Sequence, residues 1–375
     1  MREGWEVKGL GEVLRLEYGK PLDKSDRNPN GKYPAYGANG EKDRTDKSLC
    51  DTPSIVVGRK GSAGEITLTE DKFWPLDVTY YTKFDRQKYD LRFIYYLLRT
   101  LNLPGLAKGV KPGINRNEVY ALSTSVPPLP EQRRIVAILD EAFEGIATAK
   151  ANAEKNLQNA REVFESHLNA VFSQRGEGWV EKRLGDLVTR LTNGYVGPTR
   201  NIYLGTGIPY LLARHVKNNK IKFDGITYIS DEFNIKHKKS ILKSGDVLLV
   251  QSGHIGHSAV VPDFHEGHNC HAMIVITPRH GKLSGDFLSL YFNSPAGRHK
   301  FQEIRSGSTV PHLTCREVKE LSINLPAYSM QNNIVIHSNE LSIEIQHLES
   351  LYQQKLTALD ELKQSLLHQA FNGDL

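Results

Sequence analysis

One stretch of about forty residues occurs twice in this chain, and that duplication constrains the fold more than any other feature. The segment LPEQRRIVAILDEAFEGIATAKANAEKNLQNAREVFESHLNAVF runs from Leu129 to Phe172. It returns 199 residues later without an insertion: Gln132 matches Gln331, Val136 matches Val335, Leu157 matches Leu356, and Phe172 matches Phe371. Its apolar positions step by threes and fours, the spacing of one helix face. In the first copy the seam reads Ile135, Leu139, Ile146, Leu157, Phe164 and Leu168, and in the second Leu341, Ile345, Leu348, Leu356, Leu359 and Leu366. Pro130 suits the first turn of the first helix, and Ser329 is a candidate N-cap for the second. At 1.5 Å per residue each helix would span roughly 63 Å, too long for the surface of one small globular unit. The simplest solution packs the two copies against each other, and pseudo-twofold symmetry makes them antiparallel.

The duplication extends upstream. GWEVKGLGEV (Gly4–Val13) returns as GWVEKRLGDL (Gly178–Leu187), and SIVVGRKGSAGEI (Ser54–Ile66) as DVLLVQSGHIGHS (Asp246–Ser258). In the second pair Gly61 matches Gly253 and Gly64 matches Gly256; β-branched runs ending at glycines read as a strand and a tight loop. LRFIYYLLRTL (Leu91–Leu101) pairs with DFLSLYF, and KGVKPGINRNEVYAL (Lys108–Leu122) with GSTVPHLTCREVKEL (Gly307–Leu321). The offset grows from 174 to 199, so the second globular part is about 25 residues longer. The expected fold is α+β: two pseudo-repeated globular domains at 1–128 and 176–326, each followed by a long helix at 129–175 and 327–375. The result would be a dumbbell, two heads held apart by an antiparallel coiled coil.

Charge separates along the same lines. The net charge is +5, but residues 131–172 carry −2 and 329–375 carry −4, while 1–130 carry +4 and 173–328 carry +7. Basic globular parts suit a polyanion such as DNA. The three cysteines, Cys50, Cys270 and Cys315, are scattered, which argues for a cytoplasmic protein without a disulfide framework. No apolar run approaches the roughly 20 residues needed to cross a membrane.

Three motifs in this order carry a family resemblance: W-x4-LG followed by Glu12 or Asp186, PPLPEQRRIVAILD at the end of the first head, and LKQSLLHQAFNGDL at the C-terminus. The chain resembles, over essentially its whole length, the specificity subunit of type I restriction–modification systems. That resemblance implies two target-recognition domains, each reading half of a split double-stranded DNA site, with the coiled coil setting the gap. It implies no catalytic activity. It also implies docking of two methyltransferase subunits, then of restriction subunits, with S-adenosylmethionine bound by the methyltransferase and no cofactor here. The second closing motif, NLPAYSMQNNIVI, departs from the PEQ pattern, so contacts there are expected to differ between halves.

Loops at strand ends are the default binding positions. In the first head the candidates are Tyr36 and Asn39 of YPAYGANG, Arg59, Lys60 and Ser62 of GRKGSAG, and Lys108, Lys111 and Arg116 of KGVKPGINR. Arg59 can pair with guanine and Asn39 with adenine, Lys60 suits phosphate, and Lys108, Lys111 and Arg116 are offered for phosphates. In the second head they are Arg214, His215, Gln251, Ser252, His254, His257, Ser308, Thr309 and His312. The histidine-rich run HIGHSAVVPDFHEGHNCH hints at zinc, but the first repeat has no histidine there, so no metal is expected. A methyltransferase's NPPY-like motif is absent from the sequence. The competing function is a stand-alone regulator that binds a bipartite DNA site without partners.

Overall fold

The computed structural model describes residues 4–173, 178–304 and 312–375. The chain forms two compact units, one made of residues up to Glu154 together with Gln354–Leu375, the other of Lys155–Gln353.

The first unit is built on a four-stranded antiparallel sheet in the order Arg15–Tyr18, Thr79–Lys83, Ser54–Gly58, Ile66–Thr69. All five residues of Ser54–Gly58 are buried, which explains why the segment is an unbroken β-branched run and not an alternating one. A second sheet pairs Tyr33–Gly37 antiparallel with Gly40–Thr45 and parallel with Trp74–Pro75. Helix Leu91–Thr100 starts at Asp90, whose carboxylate accepts from the Arg92 and Phe93 amides, and it buries Phe93, Ile94, Leu97 and Leu98 with Ile55 and Val57. Strand Glu6–Gly9 pairs with Ser123–Val126, joining the two ends of the globular part.

The second unit repeats each piece. Its sheet runs Val188–Asn193, Met273–Pro278, Val247–Val250, Ser258–Val260, and its smaller sheet pairs Ile208–Leu211 with Thr227–Ile229 and, in parallel, Asn269–Cys270. Val180–Arg183 closes against Ser322–Leu325. Most of the extra length lies between Leu211 and Val247. It forms the hairpin Val216–Lys217/Lys220–Ile221 and helix Asp231–Lys236.

The long helices are Leu129–Ser173 and Tyr328–Asn372. Within each unit their segments run antiparallel. In the first, Lys150 pairs with Asp360 at 2.7 Å and Arg134 donates to the Leu375 carbonyl. In the second, Arg161 pairs with Glu349 at 2.6 Å and His167 lies 3.1 Å from the Ser338 hydroxyl. The helices are therefore not appendages of separate heads. Ile135, Val136 and Leu139 enter the first core beside Leu367 and Ala370, and Leu168 and Phe172 enter the second. Each compact unit contains a head and a segment of both long helices.

Two expectations are corrected, those for Leu348 and Ser329. Leu348 is 38% exposed: Ile345 fills the seam, and Glu349 reaches Arg161, which turns Leu348 outward. Leu341, Leu356, Leu359 and Leu366 are half-buried. Ser329 sits inside the second helix, which begins at Tyr328. The motif around Ser329 keeps its essential residue, since Gln331 bonds just as Gln132 does. The Gln132 amide donates to the Lys88 and Pro127 carbonyls at 3.0 and 2.9 Å, and its oxygen accepts from the Asp90 amide at 2.9 Å. The Gln331 amide donates to the Lys282 and Pro326 carbonyls at 3.1 and 3.0 Å, and its oxygen accepts from the Ser284 amide at 2.9 Å. Both side chains are buried, at 1% and 0% exposure.

Truncating either glutamine orphans one amide and two carbonyls in a dry site, at about 1–3 kcal/mol for each group left unsatisfied. Gln132→Ala and Gln331→Ala are each expected to lower unfolding stability by at least about 2 kcal/mol in chemical denaturation. Unchanged midpoints would show that the contact contributes nothing.

Candidate nucleic-acid interface

Three loops distant in sequence meet in the first unit. Gly61 donates to the Pro112 carbonyl and Ile114 to the Arg59 carbonyl, while Lys60 and Lys108 both pair with Gly113. The turn at Ala38-Asn39 joins them: a Cβ at Gly58 would lie 2.6 Å from the Ala38 carbonyl and 2.2 Å from that of Ser62, which only glycine permits. Gly64, at φ +87°, would place a Cβ 2.3 Å from the Pro104 nitrogen. The glycines of GRKGSAG thus bring three candidate loops into one surface.

The side chains divide by what they already hold. Asn39, Lys60, Ser62 and Lys111 are exposed. Lys108 pairs with Glu118 at 2.6 Å. Tyr36 is half-buried against Phe73. Arg59 donates from Nε and Nη2 to the Asp77 carbonyl and lies 5.4 Å from the centre of the Tyr18 ring. Arg116 lies 5.1 Å from the same ring. Tyr18 is 49% exposed and packs on Tyr80; burial pushes the Tyr80 phenol up to about 12, leaving it a neutral donor at ordinary pH. In the sequence Arg59 and Arg116 read as residues of separate loops. The sequence does not reveal Tyr18, which shares its site only through the strand register Tyr18–Tyr80.

The second unit assembles its loops by matching bonds. Leu313 donates to the Gln251 carbonyl and Ser252 pairs with His312, at the places of Ile114–Arg59 and Lys60–Gly113. His254 and His312 are exposed, and His254 lies edge-on to His257 at 5.7 Å. Ser308 and Thr309 lie outside the described residues. His215 leaves the candidate surface: it is 2% exposed, with Nδ1 accepting from the Leu212 amide. Arg214, at the surface, donates to the Gly225 carbonyl. The histidine run is packed with aromatic rings, His265 on Phe223 at 3.9 Å and His271 near Tyr195 and Tyr210. Among the described residues no cluster has the makeup of a metal site.

These units match one profile twice, the type I restriction modification DNA specificity domain, over residues 2–158 and again over 176–351. The chain belongs to the type I restriction–modification DNA specificity family. It is similar to the EcoBI specificity subunit of Escherichia coli, 23% identical over 321 residues, which is 77% of this chain and 66% of that subunit. It is also similar to a putative type I specificity subunit of Haemophilus influenzae, 25% identical over 89% of this chain and 87% of that protein. Its fold is that of a chain solved for complex assembly and conformational transition of the type I R-M system, with a TM-score of 0.78 at 19% identity over 100% of this chain and 99% of that one. The HsdS subunit of Thermoanaerobacter tengcongensis aligns with a TM-score of 0.62 at 20% identity, over 100% and 98% of the two chains. Among the described residues, no helix of this family member is long and apolar enough to cross a membrane.

The two units of this specificity-family chain should respond differently to acid. Burial holds His215, His257, His268 and His271 below the ordinary histidine value, and takes His265 down to about 4. All five are in the second unit, whereas the first contains only His368. As pH falls from 6.5 towards 4, the unfolded second unit binds protons that the folded one refuses, so its stability drops. Hydrogen exchange, corrected for the intrinsic pH dependence, is expected to show protection lost in the second unit between pH 7 and pH 5 and kept in the first. Equal behaviour would contradict the assignment.

Proposed function

We propose that this chain is the non-catalytic specificity subunit of a type I restriction–modification complex, in which each unit reads one half of a bipartite DNA site. The observation that carries this reading is the matched convergence of loops in both units. In each unit the same two backbone contacts join the glycine loop to the later loop, Ile114–Arg59 and Lys60–Gly113 in the first and Leu313–Gln251 and Ser252–His312 in the second, while the side chains presented differ. A duplicated frame with unlike side chains suits a split site with two different halves. Phosphates would be met by exposed cations such as Lys60 and Lys111.

The antiparallel helices are then the element that sets the gap between half-sites, and their outer faces receive methyltransferase subunits. Supporting the docking reading, the second helix exposes Ile336, Ile343 and Leu351. The first repeat has Ala137 and Glu144 where the second has Ile336 and Ile343, so the two docking surfaces share a frame without sharing side chains. S-adenosylmethionine would sit on the methyltransferase, with restriction subunits joining the assembled complex in the cytoplasm.

Co-expression with its operon's methyltransferase, followed by mapping of methylated bases, tests the reading. A bipartite motif with an unspecified gap is expected; a continuous motif would refute it. Lys60→Ala and Lys111→Ala should each weaken DNA binding uniformly across sequences and reduce the salt slope by about 1. A sequence-selective effect would move that lysine from phosphate to base.

A further inference from the structure

Three side-chain positions sit at equivalent points of the two units and differ completely in chemistry. Tyr18 faces Tyr80 in the strand register, and the next residue, Gly19, donates to the Thr79 carbonyl. Asn193 faces Ile274, and Gly194 donates to the Met273 carbonyl. Arg59 and Gln251 each accept at the carbonyl from the residue closing the third loop, Ile114 and Leu313. Arg116 and Cys315 are each the first residue of a short helix, capped by Asn115 and Thr314. In the first unit the three side chains are in contact as a ring flanked by two guanidinium groups, 5.4 and 5.1 Å from its centre. In the second unit two of the three are in contact: the Cys315 thiol donates to the Asn193 amide oxygen at 3.2 Å. Gln251 Oε1 is buried without a hydrogen-bond partner, so turning that amide outward breaks no bond at that atom.

We propose that these three positions determine base specificity in each unit, the first taking a guanine through Arg116 and the second an adenine through Gln251. The inference rests on the DNA-reading function proposed above. Guanine offers two acceptors in the major groove, which match a guanidinium fork. Adenine offers a donor beside an acceptor, which matches a carboxamide. Stacking on Tyr18 limits the freedom of Arg116, and Arg59 is tied to Asp77 on the same ring, so the guanidinium groups are oriented before DNA arrives. Burial of the Cys315 side chain keeps its thiol neutral, a donor that fixes the neighbouring amide.

The test uses the specificity subunit assembled with its methyltransferase and a randomised DNA library, with methylated bases read out. Arg116→Lys keeps the charge and removes the fork. It should leave the salt slope unchanged and relax one G·C position by about tenfold or more, with the other half-site intact. Gln251→Arg should shift one position of the second half-site from A·T towards G·C. The unaltered half-site and an unchanged melting midpoint serve as folding controls in each variant. A uniform loss of methylation across all sequences, or no change at any base, overturns the proposal. Failure of the unmodified complex to select any bipartite site would instead refute the underlying function.

Discussion

A buried carboxamide at the root of each long helix fixes where that helix leaves its globular part. Gln132 and Gln331 each bond the amide of a helix-capping residue, Asp90 or Ser284, and two carbonyls, one of them from the proline-bearing segment that leads into the long helix. A glutamine has two donors and one acceptor oxygen, and here every one is met by backbone. Backbone groups cannot be exchanged by substitution elsewhere, so the contact defines geometry independently of the surrounding side chains. That independence lets the same contact recur in two units whose loops carry different side chains. The Asp90-to-Ser284 change preserves the cap and the amide that the glutamine holds.

Much of this was legible from the repeat alone, because a helical seam and β-branched runs ending in glycine have their own periodicities. The strands Ser54–Gly58 and Val247–Val250, the helices beginning at Leu91 and Gly285, and the antiparallel sense of the long helices follow from that pattern. What escaped depends on register. Leu348 fits a seam when spacing is counted on one helix, but its partner helix decides which step is buried, and Glu349 pairs with Arg161 across that step. The Pro-Glu beside Gln132 has no counterpart beside Gln331, yet the contact is kept because it is made by the glutamine side chain.

The candidate interface was legible as loops and not as a cluster. Arg59 and Arg116 are 57 positions apart, and only sheet register places both on Tyr18. His215 reads in sequence like its neighbour Arg214, yet the turn at Ala213–His215 puts one at the surface and the other in the interior. Alternation of this kind is set by a short irregular element whose hand no periodicity announces. The inserted hairpin that follows is held inside by Asn219, whose side-chain oxygen accepts from Ser289 and Asn293.

In the proposed function, the length of the antiparallel helices sets the gap in the DNA site. Removing residues 150–156 together with 354–360 takes one heptad from each helix; the two deleted stretches face each other through Lys150–Asp360, and the Arg161–Glu349 pair is left in place. Seven residues are about 10.5 Å of helix and nearly two full turns, about three base pairs at 3.4 Å. Mapping of methylated sites should then return both half-sites unchanged with the gap shortened by about three base pairs. An unchanged gap, with both half-sites still recognised, would contradict the claim.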